Sequence, residues 1–203
     1  MVNPAARLRT LSEAPMPSLL GHAVAGLAIT TAFQGDKLPR RTWALAALCA
    51  MAPDLDWFVS LLDMHRGHVL NHRGVAHSLF AALLIAATVF LLAYRRDQRR
   101  GSVWLCLTIA ALSHGLLDAL TSGGVGVALF MPFSETRWAC VWQPGQVAPL
   151  PLGRVHTWRF LYSLWTELFW IGFPALLLAA WSRLLRRARL APTLSEAVPE
   201  SPF

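Results

Sequence analysis

Seven side chains able to bind a cation or carry a proton interrupt the apolar stretches of this sequence: His22, Asp54, Asp56, His72, His77, His114 and Asp118. They occur in the short elements Gly21-His22-Ala23, Pro53-Asp54-Leu55-Asp56-Trp57, His72-Arg73-Gly74-Val75-Ala76-His77-Ser78 and Ser113-His114-Gly115-Leu116-Leu117-Asp118. Carboxylates beside neutral imidazoles make a ligand set suited to zinc, manganese or iron. His114 and Asp118 stand four residues apart, so on a helix they share one face and can grip one ion or a bridged pair. Asp54 and Asp56 are two apart and would diverge on a regular helix. Pro53 disfavours helical geometry at Ala52, so a local break there would let both carboxylates turn the same way.

The elements that must position these groups are membrane spans. The chain is 55% hydrophobic and 14% charged, with a mean hydropathy of +0.45, and a soluble surface of this size needs far more charge. Five apolar stretches stand out: Leu19–Phe33, Thr42–Leu62, Val75–Tyr94, Val103–Thr121 and Trp158–Trp181. The first is short for a full crossing. The expected fold is an all-α, polytopic membrane helical bundle of about five spans. It comprises an N-terminal segment (1–18), a membrane helical domain (19–190) and a disordered tail (191–203). Ser122–Thr157 is a long Gly- and Pro-rich linker whose Val125–Phe133 piece is apolar enough to dip back toward lipid. No cleavable signal peptide is expected, because Pro4, Pro15 and Pro17 break the first 18 residues. Cys49 and Cys106 lie inside apolar runs and read as small hydrophobes.

Basic residues give the orientation. On an alternating five-span path, eleven fall on one side, in 34–41, 95–101 and the stretch after the last span; seven fall on the other. The richer side is cytoplasmic by the positive-inside rule, which puts the N-terminus outside and the C-terminus inside. Trp43, Trp104 and Trp181 mark the basic interface, and Trp57 and Trp158 the other. The net charge of +7 therefore reads as topology, and no nucleic-acid partner is expected.

Alternating direction also brings the starts of the first and third spans to the same side as the ends of the second and fourth. All seven groups then meet at one level of the membrane. Ionisable side chains in a bilayer cost about 2.5–3.5 kcal/mol each on the lenient insertion scale, so such a gathering needs mutual neutralisation, water or a cation. Singly, each has a plainer role: His22 as an interhelical donor, Asp54 or Asp118 as the partner of Arg73. Together they favour metal. His65 and His68 sit in a polar linker as solvated bystanders. His156 is left open, as is Glu167, which lies inside the last span and would either pair with an arginine or serve the site.

On these residues the chain resembles the YdjM-like family of bacterial inner-membrane metal-dependent hydrolases. The matching elements run from His22 through Pro53-Asp54-Leu55-Asp56 and His72-Arg73-Gly74-x-x-His77-Ser78 to His114-x-x-x-Asp118 and Thr121. More distantly the pattern is similar to zinc-dependent phospholipase C and related single-strand nucleases. The resemblance implies His22, Asp54, His72 or His77, His114 and Asp118 as ligands of one or two divalent ions, zinc foremost. No second HxxxD or HxxxE follows Asp118, which argues against a full three-metal cluster.

The expected function is a metal-dependent hydrolase of the inner membrane, acting on a phosphoester or lipid-linked substrate at the outer face. Asp56 is a candidate general base and Arg73 a candidate stabiliser of phosphoryl charge. The alternative is a non-enzymatic membrane protein, in which the cluster moves metal ions or protons or staples helices together. The expected partners are membrane lipids.

Overall fold

The computed structural model describes residues 15–16, 19–33, 38–56, 73–96, 100–122, 126–146, 148–149 and 158–195. Within them the architecture is helical. The elements are α1 (Leu19–Ala32), α2 (Arg41–Met51), α3 (Leu79–Tyr94), α4 (Arg100–Ala119) and a last rod, α5. In α5, Trp158–Glu167 and Phe173–Ser195 are joined through a π-helical turn at Leu168–Gly172. The rod runs to Ser195, into the segment for which the sequence suggested a disordered tail. Two-residue strands, Pro15–Met16 and Ala148–Pro149, pair antiparallel.

Small residues let α1, α2 and α4 pack closely. A Cβ on Gly26 of α1 would lie 2.7 Å from the Ala46 carbonyl oxygen of α2. Ala46, Cys49, Ala50, Cys106, Ala110 and Ala111 are fully buried around that contact. The hydroxyls of this core bond within it: Thr30 Oγ1 donates to the Gly26 carbonyl and accepts from Cys106 Sγ. At the opposite end from the aspartates, the Thr42 and Tyr94 hydroxyls lie 2.9 Å apart, and the Arg41 guanidinium stacks 4.3 Å above the Tyr94 ring. Arg186 of α5 donates to the Thr31 carbonyl at that same end, while Glu167 and Ile171 lie against Gly21 at the other, so α5 runs parallel to α1.

Two helical stretches are long and apolar enough to cross a bilayer, Gly101–Ala119 and Phe160–Ala188. The latter is hardly covered by the rest of the chain, with Leu176, Leu177, Trp181 and Leu184 all exposed. A rod so apolar on its open faces needs lipid around it. Leu19–Ala32 and Leu79–Tyr94 are shorter apolar helices, about 21 and 24 Å long.

The expected break at Pro53 is present. α2 gives way to a 3-10 turn over Ala52–Leu55, with Pro53 in its first turn. The third stretch likewise opens with a 3-10 turn, Val75–His77, before α3 begins at Leu79 with the Ser78 hydroxyl capping the Ala81 amide. Residues 126–146 form an irregular cap of turns and single bridges. Its Val127, Ala128 and Met131 are buried against the bundle.

Candidate metal centre

The two 3-10 turns and the last turn and a half of α4 carry their polar groups to one buried point. Asp54, His77, His114 and Asp118 each offer a ligand atom, and those atoms lie within 4.8 Å of one another. All four residues are at most 3% exposed. His77 Nε2 is 3.4 Å from Asp54 Oδ1 and 3.3 Å from Asp118 Oδ2. His114 Nε2 is 3.5 Å from Asp54 Oδ1 and 3.7 Å from Asp118 Oδ2.

The tautomers follow from what holds the far side of each ring. His114 Nδ1 lies 2.7 Å from the Ala50 carbonyl oxygen, which can only accept, so Nδ1 carries the hydrogen. In the neutral imidazole, Nε2 then presents a lone pair toward two carboxylates. His77 repeats the arrangement: Asp56 Oδ2 lies 3.3 Å from Nδ1, leaving Nε2 to face Asp54 and Asp118. The 3-10 turn is what allows Asp54 and Asp56 to flank opposite nitrogens of the same ring. A carboxylate or carbonyl behind each imidazole is the outer arrangement that fixes metal-ligating histidines. Among the described residues, Asp54 Oδ1 and Oδ2, Asp118 Oδ1 and Oδ2 and His114 Nε2 have no hydrogen-bond partner. Lone pairs converging on lone pairs in a buried site are unfavourable unless a cation or a shared proton lies between them. The donor set and its burial fit a divalent ion.

His22 belongs to the same point but stands on its flank. Its ring stacks on His114 at 3.9 Å between centroids, and Nε2 lies 3.3 Å from Asp118 Oδ1 and 3.9 Å from Asp54 Oδ2. Arg73 is buried beside the cluster: one guanidinium nitrogen donates to Thr121 Oγ1 at 2.8 Å, and Nε is 3.8 Å from Asp118 Oδ2. Its backbone is left-handed, with φ 62°, and the cap holds it there, since Ala128 N and Arg137 donate to the Arg73 carbonyl. That conformation costs a non-glycine residue about 1–2 kcal/mol. Backbone strain of this kind concentrates where a side chain must be aimed.

The structure thus brings together His22, Asp54, Asp56, Arg73, His77, His114 and Asp118. His72, expected as a ligand, lies outside the described residues, as do His65, His68 and His156. Two contributors, the Ala50 carbonyl and Gly115, were not singled out from sequence, and Thr121 stood in the motif without a role. The Ala50 carbonyl orients His114, and backbone acceptors leave no mark in a side-chain pattern. Thr121 holds Arg73. Gly115 brings α4 against the His77 carbonyl, where a Cβ would be only 2.6 Å from the oxygen. Glu167, left open by its sequence position, is buried, and its carboxylate sits against Gly21.

A helical bundle with two helices long and apolar enough to cross a bilayer and a buried His/Asp ligand cluster is the class of protein that fold and site define. Within it, residues 16–189 match the family described as YdjM inner membrane protein, and the chain belongs to that family. It is similar to the inner membrane protein YbcI of Escherichia coli (strain K12), at 35% identity over 165 residues covering 80% of this chain and 95% of the relative. No solved structure matches. The more distant likeness to zinc phospholipase C and nucleases rests on the motifs alone.

Proposed function

We propose that the chain is a multi-pass inner-membrane metal-dependent hydrolase whose site, near the outer face, acts on a phosphoester or lipid-linked substrate. One observation carries this reading: two histidines, each engaged at Nδ1, aim Nε2 at the same two buried aspartates. About five spans, with the N-terminus outside, fit the lipid-facing α5, the shorter apolar helices and the basic end formed by Arg41 and Arg186.

A divalent cation at this point, zinc being best suited to the donors, would supply Lewis acidity and make a coordinated water acidic near neutral pH. The chain's own residues supply the rest. Asp56 holds the His77 ring, and its carboxylate, slightly exposed where those of Asp54 and Asp118 are fully buried, would serve as general base. Arg73, pinned by Thr121, presents a fixed guanidinium for a phosphoryl oxygen.

The transport alternative meets an obstacle in the packing. Directly below the cluster, α1 and α2 approach backbone to backbone at Gly26 and Ala46, and Cys49, Ala50 and Ala110 are fully buried around that contact. Transporter sites also sit near the bilayer midplane between repeated halves, and the sequence has no repeat. The test is hydrolysis of phosphodiester and phospholipid substrates by purified protein in mild detergent. Turnover should be abolished by a chelator, restored by zinc and lost in Asp54→Ala. No turnover on any of these substrates by metal-loaded protein, together with ion flux in liposomes, would replace this reading with transport.

A further inference from the structure

The two aspartates divide their oxygens. Asp54 Oδ1 and Asp118 Oδ2 face His77 and His114, as described above. The other oxygen of each faces His22: Asp118 Oδ1 at 3.3 Å and Asp54 Oδ2 at 3.9 Å from Nε2. One ion among His77, His114, Asp54 Oδ1 and Asp118 Oδ2 leaves that second pair of oxygens, and His22, unused.

His22 is fully buried, and neither of its ring nitrogens has a hydrogen-bond partner among the described residues. An apolar residue would pack against His114 as well, at no desolvation cost. The segregation of oxygens is the pattern of bridging carboxylates, each giving one oxygen to each of two ions about 3.5–4 Å apart.

We propose that the cluster is a two-ion centre, with Asp54 and Asp118 as bridges and a second cation position bounded by His22 Nε2, Asp54 Oδ2 and Asp118 Oδ1. This deepens the hydrolase reading and rests on it for the identity of the first position. The charge balance also bears on substrate. Asp54, Asp56 and Asp118 against Arg73 leave a formal charge that one divalent ion neutralises. A second ion makes the pocket positive, which suits an anionic phosphoester. His22 is thus a ligand of the second position rather than a donor between helices.

The test is titration of metal-stripped, detergent-solubilised protein with Mn²⁺, following bound ion per chain and the electron paramagnetic resonance signal. Wild type should bind two ions with an exchange-coupled spectrum. His22→Ala should bind one, with an uncoupled six-line signal, and His114→Ala should disturb both positions. If His22→Ala does not fold, the wild-type stoichiometry and coupling decide alone. A single uncoupled ion in wild type overturns the two-ion proposal while leaving a one-ion hydrolase standing. No bound ion at all overturns both.

Discussion

Gly115→Ala is the sharpest perturbation available, because it reaches the centre without altering any ligand. The added methyl carbon would start 2.6 Å from the His77 carbonyl oxygen and 3.2 Å from Leu129 Cδ2. Ordinary van der Waals contact begins at 3.4 Å, so the His77 backbone must retreat by about 0.8 Å or α4 must tilt. Retreat is resisted from behind, because Leu79 N donates to the Leu129 carbonyl at 2.9 Å and the cap is tied to Arg73. His114 and Asp118 ride on α4 and His77 does not, so the displacement falls within the ligand set. Metal–ligand distances tolerate about 0.2 Å, and a shift several times larger should weaken binding about 10–100-fold, as disturbed orientation of a ligand does. The assay is zinc competition against a chromophoric chelator, with Gly101→Ala as control because nothing lies within 4 Å of its added carbon. A folded Gly115→Ala protein with unchanged zinc affinity would refute the reasoning that His77 is a ligand held by this contact.

Other outcomes follow from the same geometry. Asp56→Asn should lower metal affinity about 10–100-fold without abolishing binding, since it loosens the grip on His77 Nδ1 and removes no ligand; the chelator competition measures it. Arg73→Lys should keep full metal content but lose phosphodiester turnover, because an ammonium cannot reproduce the fixed fork that Thr121 holds; elemental analysis beside the hydrolysis assay separates the two. Gly26→Ala forces a carbon to 2.7 Å from a backbone oxygen and should cost about 1–3 kcal/mol, read as a lower Tm in detergent. Thr42→Val and Tyr94→Phe should show a coupling of about 1 kcal/mol in a double-mutant cycle on unfolding, with metal content unchanged.

The meeting of distant residues was legible in the sequence because two simple regularities combine there. Apolar runs alternate direction, and polar residues inside them stand out by their cost. His22, Asp54, His77, His114 and Asp118 needed nothing more to be placed at one level. The Pro53 break was equally legible, since proline restricts the residue before it. The roles of the two ring nitrogens were hidden, because they depend on the Ala50 carbonyl and on a 3-10 turn that sets Asp54 and Asp56 around one imidazole. The π-helical turn at Leu168–Gly172 had no signature either, as its run of apolar residues would suit an unbroken α-helix. At α2 the α-helix yields to a 3-10 turn after Met51, and residues 57–62 of the expected stretch lie outside the described residues.

The central claim is that a cation makes this burial of aspartates and histidines favourable. Elemental analysis of protein purified after metal-replete growth, with X-ray absorption at the metal edge, tests it most directly. The account predicts bound divalent metal with imidazole and carboxylate ligation, lost in His114→Ala and in Asp118→Ala. Metal-free wild-type protein that unfolds at the same temperature with and without added zinc would contradict it.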